Sequence, residues 1–115
     1  MLPKIQKILD YMNSNVDRTL TLNDLARSAK LSKSRMRDLF RAQTGTSPGR
    51  YLRAMRMEKA RELLETTSLS TKKVGARVGI KDRSHFARSF KKTYGLTPSQ
   101  HRAKGVLPRD LSQDD

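Results

Sequence analysis

Two stretches of this chain, FRAQTGTSP at residues 40–48 and FKKTYGLTP at 90–98, share a Phe, a Gly five residues on and a Pro three after that. The likeness reaches further back. Val74 answers Leu25 and Ile80 answers Leu31 at an offset of 49, while Phe86 answers Met36, Phe90 answers Phe40 and Pro98 answers Pro48 at an offset of 50. One structural unit is therefore present twice, with a residue inserted near the second turn. A repeat of this period marks each copy as one supersecondary block. With 115 residues and 35% hydrophobic content, several short helices with narrow apolar faces suit the chain better than a single large core.

Helical periodicity fills in the units. Ile5, Ile8, Leu9 and Met12 make one apolar stripe over residues 3–15, opened by Pro3 in a first turn that tolerates it. Thr21 caps a short helix that turns Leu22, Leu25 and Ala26 inward, and Ser32 caps a third that hides Met36, Leu39 and Phe40 before Gly45 ends it. The second copy repeats this with Ser70, Asp82 and Gly95 as caps and stop signal. Between the copies a longer helix runs from about Pro48 to Thr66, capped by Ser47, with Leu52, Met55, Lys59, Ala60, Leu63 and Leu64 on its inner side. The expected fold is all-α, with about seven helices. Residues 3–47 form a first subdomain, 48–66 a linker helix, 67–103 a second subdomain and 104–115 a flexible tail with an acidic end. At the two turns, Gly79 adopts positive φ freely, whereas its counterpart Lys30 either carries roughly 1–2 kcal/mol of strain or makes a different turn.

Two short helices joined by a tight turn, the second strongly basic outside, form a helix-turn-helix, a DNA-reading device. Charge agrees: 25 Lys and Arg against 11 Asp and Glu leave +14, an excess that points to a polyanionic partner. The chain has no Cys, two His and no Gly-rich phosphate loop, which leaves little for an enzyme, and neither His85 nor His101 has a second ligand at metal spacing. No cofactor is expected. RNA binding is disfavoured because Phe40, Phe86 and Phe90 are needed inside and Tyr11, Tyr51 and Tyr94 stand at core edges, leaving few stacking platforms. No run approaches the roughly 20 apolar residues of a membrane span, and the missing Cys fits a reducing cytoplasm.

The run VGARVGIKDRSHFARSFKKTYGLTPSQHR resembles the signature end of the AraC/XylS family of bacterial transcription regulators, and residues 20–53 resemble the first half of the same domain. The resemblance implies a monomeric domain with two helix-turn-helix motifs that recognise adjacent major-groove segments of promoter DNA, most often to activate. It departs from the family at Gly75, where Ala is favoured and the glycine costs its helix about 1 kcal/mol, and at Ile80 and His101, where aromatic residues are usual and the core of copy two is trimmed. A linker of about 18 residues is near 27 Å long and can hold two reading helices about one DNA turn, roughly 34 Å, apart. The site is then asymmetric, and a stiff linker bends the DNA.

In the first reading helix Ser34, Arg35, Arg37, Asp38 and Arg41 lie off the apolar stripe. By the family's pattern Ser34, Arg37 and Asp38 approach base edges, with Arg35 beside them, and Lys33 and Arg41 bind phosphate. Arg37 suits guanine, whose O6 and N7 a guanidinium meets bidentately. Asp38 either accepts from cytosine N4 or orients Arg35 or Arg41. In the second helix Arg83, Ser84, His85 and Arg88 form the outward set, Arg88 foremost, while Lys91 and Lys92 face phosphate or solvent. Thr21, Ser47, Ser70 and Thr97 precede helix starts, and Arg50, Lys72 and Lys73 sit in first turns, where a phosphate would offset a cation's conflict with the helix dipole. The four hydroxyls are ordinary caps whether or not DNA is bound. Arg53, Arg56 and Glu62, expected on an exposed linker face, are either an RNA polymerase contact or a solvated surface. A nonspecific nucleoid-type DNA binder is the alternative to a sequence-specific regulator.

Overall fold

The computed structural model describes residues 2–104, and among them the backbone forms helices and no strand. In chain order these are α1 (Pro3–Ser14), α2 (Leu22–Ser28), α3 (Lys33–Thr44), α4 (Pro48–Thr66), α5 (Thr71–Arg77), α6 (Arg83–Tyr94) and α7 (Pro98–Ala103). The tail expected over 104–115 lies outside the described residues from 105 onward. Two compact units divide inside α4, between Met55 and Arg56.

The capping residues make the bonds their positions call for. Thr21 accepts from the Asp24 amide while the Asp24 carboxylate takes the Thr21 amide, a reciprocal box that opens α2. Ser32, Ser70 and Asp82 accept from Arg35, Lys73 and His85 amides at 3.2, 3.1 and 2.9 Å, each fixing the first turn of its helix. Gly45 and Gly95 end α3 and α6 at φ 81° and 84°, where a side chain would be strained.

The first unit packs Ile5, Ile8 and Met12 of α1 against Leu25 and Ala26 of α2, Met36 and Phe40 of α3, and Leu52 of α4. The second closes Met57, Ala60 and Leu64 of α4 on Val74 and Val78 and on Phe86 and Phe90 of α6. Each unit buries only small clusters of side chains, as short amphipathic helices allow. Met57, 1% exposed, belongs to the inner side of α4, whereas Lys59 does not: its side chain is 49% exposed and pairs with Glu62 at 3.3 Å. The expectation that Lys59 faces inward is corrected by the step from Leu52 to Met57, because one apolar stripe cannot serve two separate cores.

The repeat is visible bond by bond. Leu31 donates to the Ala26 carbonyl at 2.9 Å, and Ile80 to that of Gly75 at 2.8 Å, so both turns close in the same register. Lys30 carries the strain, at φ 56° against 82° for Gly79. The extra residue of copy two is Lys81, between the closing bond of Ile80 and the cap Asp82.

Candidate nucleic-acid interface

Burying Met36 and Phe40 commits the rest of α3 to the outside, since residues three and four apart share a face. Lys33, Ser34, Arg35, Arg37, Asp38 and Arg41 are all exposed. The same holds for α6, where Phe86 and Phe90 are buried and Arg83, Ser84, His85, Arg88, Lys91 and Lys92 are exposed. Within each unit the candidate base readers thus all stand on the solvent-exposed part of one helix. Among the described residues no side-chain hydrogen bond or ion pair engages the guanidinium groups of Arg35, Arg37, Arg41, Arg83 or Arg88, and Asp38 is paired with neither Arg35 nor Arg41.

Arg61 and Arg102, by contrast, are engaged. Arg61 of α4 bridges Glu58 at 2.6 Å and Glu65 at 3.2 Å and lies 5.9 Å from the Tyr94 ring centre, and these partners hold its charge more firmly than usual. Arg102 of α7 donates to three carbonyls at the end of α4 and beyond: Nε to Leu64 at 3.3 Å, Nη2 to Thr67 at 3.1 Å and Nη1 to Leu69. It thereby caps a helix C-terminus with a cation, which the dipole favours. Arg102 has no equivalent in copy one, where its position is occupied by Leu52. Beside it, the Nε2 of His101 donates to Glu65 at 2.9 Å while the ring packs edge-on to Phe90 at 5.5 Å. Tyr51 meets Phe40 in the same way at 5.4 Å in copy one, so His101 keeps the ring contact rather than trimming that core.

The helix starts differ in charge. Ser47, Ser70 and Thr97 open α4, α5 and α7, helices with no acid in the first turn, while Arg50, Lys72 and Lys73 are exposed there. Thr97 is boxed with Gln100, and Ser47 accepts from the Arg50 amide at 3.3 Å. Thr21 stands apart. The Asp24 carboxylate already occupies its helix start, and the amide and hydroxyl of Thr21 hold that carboxylate below its ordinary pKa. Asp82 is depressed likewise, first by the His85 amide it accepts from.

On α4, Arg53 and Glu62 are exposed, but Arg56 is half-buried, and its burial lowers the pKa of its guanidinium. The expectation of three residues on one exposed face therefore fails at Arg56, which neighbours the Met57 core position. No helix among the described residues is long and apolar enough to cross a membrane.

Fold and surface together define a DNA-binding domain of the helix-turn-helix class, with the motif present twice. A family profile described as a helix-turn-helix domain matches residues 25–104. The chain is 34% identical over 98 residues to the lactose operon transcription activator of Staphylococcus xylosus, covering 85% of this chain and 35% of that protein. Among solved structures it is similar to an AraC-type DNA-binding domain protein from Chromobacterium violaceum, at 29% identity and TM-score 0.84 over 93% of this chain and 96% of that one. It is also similar to the DNA-binding domain of AdpA, a global transcriptional factor solved in complex with a target DNA, at 25% identity and TM-score 0.84 over 88% and 91% of the two chains. The chain belongs to the AraC/XylS family of transcriptional regulators. It spans about a third of the length of the curated relatives it matches, from 27% to 37%.

Proposed function

We propose that the chain binds double-stranded DNA sequence-specifically as a monomer, with α3 and α6 each reading one of two adjacent major-groove segments. The observation that carries this reading is the contrast among its arginines. Arg61 of α4 and Arg102 of α7 are tied to carboxylates and carbonyls, whereas the exposed Arg35, Arg37, Arg41, Arg83 and Arg88 of α3 and α6 make no side-chain hydrogen bond or ion pair among the described residues. A high density of disengaged guanidinium groups on a reading helix favours an anionic duplex and allows bidentate contact to guanine.

Base reading is assigned to Ser34, Arg35, Arg37 and Asp38 in the first unit and to Arg83, Ser84, His85 and Arg88 in the second. Phosphate contacts are assigned to Lys33, Arg41, Lys91, Arg50, Lys72 and Lys73, and to the hydroxyls of Ser47, Ser70 and Thr97. Thr21 is assigned only a peripheral phosphate contact, because the Asp24 carboxylate, held by the Thr21 amide and hydroxyl, already occupies that helix start. The reading includes transcription activation at promoters in the bacterial cytoplasm, assigns no catalysis and no cofactor, and leaves Arg53 and Glu62 as the α4 positions for an RNA polymerase contact. Similarity to proteins named for particular operons favours regulation over nonspecific nucleoid-type binding.

The test is selection of preferred duplexes from a random pool, followed by Arg37→Ala and Arg88→Ala. Each variant relaxes preference at a few positions of one half-site, by about 1–3 kcal/mol per lost bidentate contact. A uniform loss across all sequences removes that residue from base reading.

A further inference from the structure

We infer that Gly75 is a positioning residue for the second reading helix: its bare backbone lets the α5–α6 turn and the Phe86 ring close on α5, and this sets where α6 stands. A Cβ at Gly75 would lie 2.8 Å from the Ile80 carbonyl oxygen and 3.1 and 3.2 Å from Cδ2 and Cγ of Phe86. The first distance is to backbone and has no rotamer to relieve it. Gly75 lies inside α5, where its freedom at positive φ is not used and a glycine weakens the helix. Close approach is therefore what the glycine permits in this chain.

The first unit solves the same turn differently. Ala26 stands at the place of Gly75, Met36 at the place of Phe86, and Lys30 turns the corner at φ 56° where Gly79 has 82°. Both turns close through the same hydrogen bond, at 2.9 and 2.8 Å. An alanine with a flexible thioether chain goes with one turn, and a glycine with a rigid ring goes with the other. Phe86 follows His85 directly and precedes Arg88 by two residues, so a displaced ring carries the proposed readers with it. The inference rests on the reading of α6 proposed above.

The experiment compares wild type, Gly75→Ala, Phe86→Met and the double variant, which rebuilds the pairing of Ala26 with Met36. Residual dipolar couplings in the free protein report the orientation of α6 against α5, and duplex selection reports base preference. Gly75→Ala turns α6 while α3 keeps its place in the first unit. It changes relative affinity by roughly tenfold or more at the positions that Arg88→Ala relaxes, and leaves those of Arg37→Ala unchanged. The double variant returns both readouts toward wild type. If Gly75→Ala does not fold, Phe86→Met alone loosens the ring contact and alters preference in the same half. Unchanged couplings, or a loss equal over both halves, overturn the inference. Couplings that shift while wild type itself shows no base preference overturn instead the reading of α6 on which it rests.

Discussion

Asp82 and Ser32 cap the two reading helices at equivalent positions, yet only Asp82 brings a charge that titrates. Its carboxylate is held below the ordinary value of 3.8, chiefly by the His85 amide, so the folded state binds its proton less readily than the unfolded chain does. A carboxyl depressed on folding stabilises fully above its unfolded pKa, and that contribution is lost as pH falls through the folded value. Acid unfolding of the second unit below about pH 4 therefore includes this cap, and Asp82→Ser keeps an acceptor while flattening that part of the pH profile. Thermal midpoints measured from pH 6 down to pH 2 check this, and parallel profiles for variant and parent would deny the cap its share. Lys30 offers a second residue-scale test. Relief of its left-handed strain is worth roughly 1–2 kcal/mol, and the added chain entropy of a glycine opposes it by roughly 0.5–1 kcal/mol. Lys30→Gly should then stabilise the first unit by about 0.5–1 kcal/mol in urea unfolding, and a loss of stability would mean that Lys30 makes contacts outweighing its backbone strain.

At the scale of elements, α7 is a helix of six residues, too short to persist without tertiary anchors. Its anchors are the three carbonyls held by Arg102 and the His101 bond to Glu65. Replacing Arg102 with Met, close to the Leu52 that stands at its place in the first unit, keeps much of the stem packing and removes the cation. With part-buried carbonyls left unpaired, the cost is about 2–3 kcal/mol, and amide exchange of Leu69 and the α7 backbone should accelerate before that of α6. Uniform acceleration through the second unit would instead make Arg102 part of its global core. These elements also mark how far sequence reaches. Caps, stops and apolar stripes are local, so the starts of α2, α3, α5 and α6, the stops of α3 and α6, and the outward sets around Met36, Phe40, Phe86 and Phe90 are readable from spacing alone. The clamp by Arg102 joins residues 33 to 38 apart, and the need for Gly75 arises from a ring and a carbonyl brought back by a turn. Nothing local announces either. The inner face of α4 was misread for a related reason: Met57 follows Leu52 by five residues, out of step with any single stripe, because the two ends of the helix belong to different cores.

For the molecule as a whole, the decisive property is that one chain carries two helix-turn-helix units, each with its own hydrophobic cluster and its own exposed basic helix, the two reading heads of the proposed function. Either head alone would bind weakly, since a single helix-turn-helix makes few base contacts. On the two-headed reading proposed above, covalent linkage changes the arithmetic, because once one head is seated the second binds from an effective concentration set by the linker, and avidity exceeds single-head affinity by about 10²–10⁴. The two heads also differ, with Ser32, Lys30, Ala26 and Met36 in one answered by Asp82, Gly79, Gly75 and Phe86 in the other, so the preferred site should have no two-fold symmetry. Disabling each head without touching its core separates these contributions. Arg35→Ala with Arg37→Ala, and Arg83→Ala with Arg88→Ala, should each weaken binding to the selected duplex by at least about a hundredfold and confine the footprint to the opposite half. Full protection and near-parental affinity in either double variant would mean that this head is dispensable, and the duplication would then need another explanation than reading DNA twice.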